Sequence, residues 1–190
     1  MRIRLFVALI LNNHILDEII KFRENIYPNN EITKWENKEK LHITLKFLGE
    51  VEEDNIPQIV NKLGSTINLH DKIEIYFSNI RIIYKYSIPK ILWLGVKLTQ
   101  QLNKLYLDIN NILNDVGFEN EKRKFNPHIT LLRIKGNEDI SKLEMFAKEE
   151  IKLKNTFANE VALIKSVLYK NGSEYTKIKS FNLNTGGFNG

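Results

Sequence analysis

Apolar and polar residues alternate with period two in residues 41–49, and the same alternation returns in residues 127–133. In the first stretch Leu41, Ile43, Leu45 and Phe47 share one phase, and His42, Thr44 and Lys46 share the other. In the second, Ile129 and Leu131 share one phase, and His128 and Thr130 the other. Successive strand side chains point to opposite faces, so this pattern predicts two half-buried strands. Each carries a His and a Thr side by side on its polar face.

The rest of the chain arranges itself around these strands. Ile3, Leu5, Val7 and Leu9 alternate with Arg4, Phe6 and Ala8, which predicts a first strand. Asn12 or Asn13 can cap a helix that carries Ile15, Ile19, Phe22 and Ile26 and ends at Pro28. Trp35 falls in a polar connector, and the His42 strand stops at Gly49-Glu50. A second helix is expected over 55–63, with Pro57 in its first turn and Gly64 at its end. Short strands are expected over 73–77 and 80–83. The order then restarts with a strand over 91–96. Thr99 caps a helix with Leu102, Leu105, Tyr106, Ile109, Ile112, Leu113 and Val116 on one face, and Gly117 stops it. The basic loop Lys122-Arg123-Lys124 leads into the His128 strand. A fourth helix is expected over 140–150. A hairpin follows, with strands 161–169 and 174–183 around Asn171-Gly172. The tail from Asn184, with its three glycines, is expected to fray.

Both halves therefore read strand, helix, His-x-Thr strand, helix, strands. Ile3 precedes His42 by 39 residues, and Ile91 precedes His128 by 37. No Pro/Gly/Ser-rich linker separates the halves, so one domain over 1–184 is expected. It would be built as two pseudo-repeat lobes, 1–88 and 89–184, with 185–190 as tail. Two α/β lobes facing a groove would each offer a His-x-Thr face to it.

Composition narrows the chemistry. At 190 residues and 43% hydrophobic the chain can build one core. A net charge of +5 and a pI of about 9.2 hint at an anionic partner, but the favoured reading is that many of the Lys simply solvate the surface. There is no Cys, which excludes disulfides, thiolate metal sites and a Cys nucleophile. The apolar run over 5–11 is short and lacks a cleavage-site pattern, so it reads as a strand, and no run approaches a membrane span. A cytoplasmic protein without membrane contact, acting as a monomer, is expected.

Two of the four His lie in the paired pattern. One imidazole can act as base while the other acts as acid near neutral pH. Thr hydroxyls can bond an oxyanion, and Arg or Lys can hold a phosphate. Such a set suits in-line phosphoryl transfer without a metal or other cofactor. Two His alone are too few ligands for a closed zinc site, and no Gly-x-Ser-x-Gly elbow supports a Ser nucleophile. His14, in a helix, and His70, in a loop, read as surface residues without partners.

The motifs His42-Ile43-Thr44-Leu45 and His128-Ile129-Thr130-Leu131 resemble the paired HxTx signature of the 2H phosphoesterase superfamily. More narrowly, the chain is similar to the RNA 2′,3′-cyclic phosphodiesterases, also called 2′-5′ RNA ligases. The likeness extends to Arg4-Leu5-Phe6-Val7-Ala8, Leu92-Trp93-Leu94-Gly95-Val96, Phe125-Asn126-Pro127 before His128, and Ser166-Val167-Leu168-Tyr169. It implies an α+β fold of two pseudo-symmetric lobes with antiparallel sheets around a central groove. It also implies opening of 2′,3′-cyclic phosphate ends of RNA to 2′-phosphomonoesters without a cofactor, tRNA halves being one source of such ends. Reversible 2′-5′ ligation is a second reaction of this kind. By position His42 matches the proton donor and His128 the proton acceptor, and Thr44, Thr130 and Arg133 match phosphate-binding residues.

Three residues and one loop stay open. Arg133 lies five residues after His128, so strict alternation puts it on the far face; a bulge or the strand end must return it, or it is surface charge. Lys46, in phase with His42, can touch the phosphate or RNA backbone or reach solvent. Phe6 can stack on a base or belong to the core. The 122–124 loop can take RNA phosphates or simply be solvated. Two rival functions also remain: an RNA-end-binding module without chemistry, and a 2H phosphoesterase for a small cyclic nucleotide-derived substrate.

Overall fold

The computed structural model describes residues 1–28, 35–170 and 172–185. Nine strands and four helices are found among them: β1 (Arg2–Ile10), α1 (Asn13–Ile26), β2 (His42–Glu52), α2 (Ile56–Ile67), β3 (Ile73–Ile75), β4 (Phe77–Lys85), β5 (Ile88–Val96), α3 (Gln100–Asn114), β6 (His128–Arg133), α4 (Ile140–Phe146), β7 (Thr156–Ala158), β8 (Glu160–Tyr169) and β9 (Gly172–Asn182). Seven strands form an antiparallel sheet in the order β4-β5-β6-β2-β1-β8-β9, and β3 pairs with β7. β2 and β6, one from each expected half, meet edge to edge in one continuous sheet, but β4 of the first half lies on the β6 side beside β5, and β8 and β9 of the second half lie on the β2 side beside β1.

Alternation along β1 separates the two faces. Leu5, Val7 and Leu9 enter the main core with residues from all four helices, whereas Phe6 and Ala8 point the other way and pack with Ala162 and Ile164. Helices therefore cover one face of the sheet and leave the other for the groove. Capping follows the expected chemistry. The Asn12 side chain accepts from Ile15 N–H at 3.0 Å, and Thr99 Oγ1 accepts from Leu102 N–H at 3.2 Å. Gly117 has φ +93°, a conformation that suits a residue with no Cβ, just past α3.

Several boundaries differ from the sequence reading. α2 runs through Gly64 to Ile67, because Ile59, Leu63 and Ile67 continue one buried stripe. Gly49 does not end β2. It sits at φ +70° inside the strand, at an irregularity in the register with β1. α4 stops at Phe146, earlier than expected, and β7 is a strand the pattern did not predict. The β4–β5 hairpin turns on Tyr86 and Ser87, both at positive φ, without the Asn-Gly signal that marks such turns. The tail is held at its start: Asn184 N–H donates to His70 O and Asn184 O accepts from Lys72 N–H, each at 2.8 Å. The glycines after it and Asn171 of the β8–β9 turn lie outside the described residues. His70 is buried, and its Nε2 is 3.0 Å from Asp108 Oδ2, so it is not a surface residue; His14 is exposed, 3.8 Å from Glu18.

Phe146 is fully buried, with its ring 5.6 Å from those of both Phe22 and Trp35. Phe146→Ala is expected to cost about 3–5 kcal/mol through lost transfer energy and the cavity left behind, read from the urea midpoint at unchanged m-value.

Candidate active site

The two motif strands touch through one pair of residues, Ile43 and Ile129. Each is the middle residue of its His-x-Thr. Antiparallel pairing at that point sets His42 across from Thr130, and Thr44 across from His128. Each His thus has the other motif's Thr as its cross-strand neighbour. All four side chains line one cavity of about 250 Å³, together with Phe6, Glu36, Lys40, Phe47, Trp93, Arg133 and Tyr175.

A bulge follows the Thr in both strands. Against β1, Thr44 pairs with Ala8 and Lys46 with Val7, so Leu45 is the extra residue. Against β5, Thr130 pairs with Trp93 and Leu132 with Leu92, so Leu131 is the extra residue. A one-residue insertion reverses which side chains face the groove beyond it. Arg133 is thereby returned to the groove, as one of the two sequence alternatives required. Lys46 is turned away from it. Its Nζ donates to Asn110 Oδ1 at 3.1 Å and to Glu119 O at 2.9 Å on the α3 side, and it is 5% exposed. The expectation that Lys46 stands in phase with His42 is corrected by this bulge. Phe47 takes the groove position instead and is 66% exposed.

Phe6 is also corrected. It is 3% exposed, and its ring lies 5.1 Å from His42, 5.9 Å from Phe47 and 5.1 Å from Tyr175. The ring packs on the imidazole and leaves no open face for a base. Trp93 packs on the His128 ring, stacked at 3.7 Å and 16°. Sequence reasoning missed Phe47, Trp93, Glu36 and Lys40 as groove residues. A signal existed for Phe47, since it stands five residues after His42 as Arg133 stands five after His128.

Beyond His128 lies a second cavity of about 380 Å³, within the range of small-molecule sites. It takes in Trp93, Phe47, Arg123, Lys124 and the stacked rings of Tyr106 and Phe125, 3.9 Å apart. Part of the basic 122–124 loop therefore borders the groove. Among the described residues no cluster of three or more His, Asp or Glu could hold a metal ion, and no helix is long and apolar enough to cross a membrane.

The two imidazoles differ electrostatically. Burial, helped by the positive potential of His128 and Arg133 and opposed by the Lys40 backbone, pushes His42 down to about 4. Its Nδ1 is buried and has no hydrogen-bond partner among the described residues. Burial also lowers His128, partly offset by its Nδ1 bond to Asn126 O at 2.9 Å. A carbonyl only accepts, so Nδ1 carries the hydrogen and Nε2 keeps its lone pair.

A depressed His42 has a consequence for folding. The unfolded chain takes up this proton near pH 6.5 and the folded chain only near 4, so stability present above pH 6.5 is lost as pH falls through that window. His42→Gln should lose less stability than the parent between these two pH values, measured by urea midpoints at each.

Against known proteins, the family model described as "LigT like Phosphoesterase" matches residues 10–86 and 94–175. An RNA 2′,3′-cyclic phosphodiesterase of Methanocaldococcus jannaschii is 32% identical over 180 residues, covering 94% of this chain and 99% of that one. One of Thermotoga maritima is 32% identical over 132 residues, 70% of each chain. Among solved structures, E. coli LigT with 3′-AMP shares the fold at TM-score 0.73 and 23% identity, covering 96% of this chain and 99% of that one. TT0787 of Thermus thermophilus does so at TM-score 0.74 and 19% identity, covering 96% and 98%. The chain belongs to the LigT-like family of 2H phosphoesterases.

Proposed function

We propose that this protein opens 2′,3′-cyclic phosphate ends of RNA to 2′-phosphomonoesters, with two His as acid and base. The observation that carries the reading is the cavity holding both His-x-Thr pairs, each His facing the other motif's Thr. The relatives named RNA 2′,3′-cyclic phosphodiesterase supply the substrate class.

His128 is the base. Its Nδ1–H is committed to Asn126 O, which leaves Nε2 to take a proton from water. The water oxygen attacks phosphorus in line, and the P–O3′ bond breaks on the opposite side. O3′ receives a proton from His42, so the products are a 2′-phosphate and a free 3′-hydroxyl. Thr44 and Thr130 hydroxyls and the Arg133 guanidinium bond the non-bridging oxygens, where negative charge grows in the transition state. Acid, base and charge are all supplied by side chains, and no metal is assigned a role. In the same direction, with a 5′-hydroxyl attacking phosphorus in place of water and O3′ again leaving, the same pair would make a 2′-5′ linkage. The aromatic cavity beside His128 has room for a nucleoside, with Arg123 and Lys124 at its border for backbone phosphates. In this reading the protein acts as a cytoplasmic monomer on such ends, those of tRNA halves included.

His42 must be protonated to act, yet it is depressed in the empty site. A bound phosphate anion favours the charged imidazole and raises it. In the free protein both His lie below the ordinary imidazole value, so kcat/KM should be bell-shaped with its maximum on the acid side of 6.5. The kcat profile, which reports the complex, should peak at higher pH. Coincident maxima in the two profiles would contradict this electrostatic picture.

An oligoribonucleotide ending in a 2′,3′-cyclic phosphate, with EDTA present, tests the reaction. Each of His42→Ala and His128→Ala should lower turnover by about 10²–10⁴-fold, with a 2′-phosphate as product. Binding without turnover by the wild-type protein would favour a non-catalytic RNA-end module instead. Turnover only of small cyclic nucleotides would favour a small-molecule phosphoesterase.

A further inference from the structure

A carboxylate stands inside the groove that is meant to receive a phosphate. Glu36 Oε1 is 3.1 Å from Arg133 Nε, and its Oε2 is 3.5 Å from Lys40 Nζ. Its side chain is 12% exposed, whereas that of Arg133 is 53% exposed. An acid here opposes anion binding, so its presence needs a reason.

Its position is built rather than incidental. Glu36 N–H donates to Leu131 O at 2.8 Å, and Glu36 O accepts from Arg23 Nη1 at 2.8 Å. Leu131 is the bulge residue that turns Arg133 into the groove. One irregularity therefore presents the guanidinium and anchors its counter-ion. The contact engages Nε, which leaves the terminal nitrogens of Arg133 for phosphate oxygens.

The charges of the cavity then follow. Its lining holds two cations, Lys40 and Arg133, and one carboxylate, Glu36, beside two imidazoles that burial keeps neutral. Lys135 lies further out, in the adjoining cavity that Lys40 and Arg133 also border. A net charge of +1 in the empty groove matches an incoming cyclic phosphodiester, which is a monoanion; the proton that His42 takes up beside a bound phosphate adds one charge toward either ligand. A phosphomonoester is close to a dianion above its second pKa of about 6. Without the carboxylate the same lining would carry +2 and match the monoester.

We propose that Glu36 is a specificity residue that sets the groove for a monoanionic phosphodiester and against the dianionic monoester, so that the opened product is not retained. It acts through Arg133 and Lys40 and touches no reacting atom. This inference rests on the phosphoesterase reading above.

Titration calorimetry at pH 7.5 with two inert ligands tests it: 3′-deoxyadenosine 2′-phosphate, a dianion, and its methyl ester, a monoanion. Neither can form a cyclic phosphate, because the 3′-hydroxyl is absent. Glu36→Gln should shift the ratio of the two affinities toward the dianion by about tenfold, the size of one added charge a few ångströms away in a half-solvated site. Glu36→Asp keeps the charge and should keep the wild-type ratio. An unchanged ratio in Glu36→Gln overturns the inference, as does an equal shift in Glu36→Asp, which would make shape and not charge the cause. Binding of neither ligand by the wild-type protein overturns the phosphoesterase reading itself.

Discussion

Everything in the groove depends on how β2 and β6 meet. Only Ile43 and Ile129 pair across that join, and both are fully buried. Their hydrophobic anchoring on the helical side fixes the register, since a slip by one residue would put Ile side chains in the groove and His side chains in the core. With the register fixed, each His gains a Thr neighbour from the other half. Neither motif strand makes this arrangement alone, and the site exists only where β2 and β6 join.

The two bulges have opposite results from the same geometry. In β6 the bulge at Leu131 sends Leu132 inward and Arg133 outward; in β2 the bulge at Leu45 sends Lys46 inward and Phe47 outward. Equivalent positions thus supply a cation on one side and an aromatic ring on the other. The inward Lys46 is tolerated because Asn110 and the Glu119 carbonyl satisfy it. Burial still lowers its pKa, as expected for an ammonium removed from water. A repeat in backbone has become a groove with two chemically different ends.

Aromatic packing gives the imidazoles their environment. Phe6 and Tyr175 enclose His42, and Trp93 covers His128. These rings exclude water, which depresses both His in the empty site and strengthens any charge interaction once a phosphate arrives. Rigid strands carry every one of these groups, so the geometry does not rest on loop order.

The sequence by itself determined the strands of the main sheet, the helix faces and the paired His-x-Thr, because period-two and helical spacing are local properties and both motifs lie before the bulges. Residues up to Thr44 and Thr130 could be assigned a face by counting. Beyond them counting failed: Lys46 and Phe47 exchanged faces, and Arg133 needed an irregularity that only a paired partner strand reveals. Phe6 was legible as a groove-face residue, but its burial depended on His42 and Tyr175 arriving from other strands. Glu36 lay in a connector without periodicity, so nothing local marked it. Tertiary structure decided these positions, because a bulge is defined by two strands, and an ion pair by residues that the chain brings together from 97 positions apart.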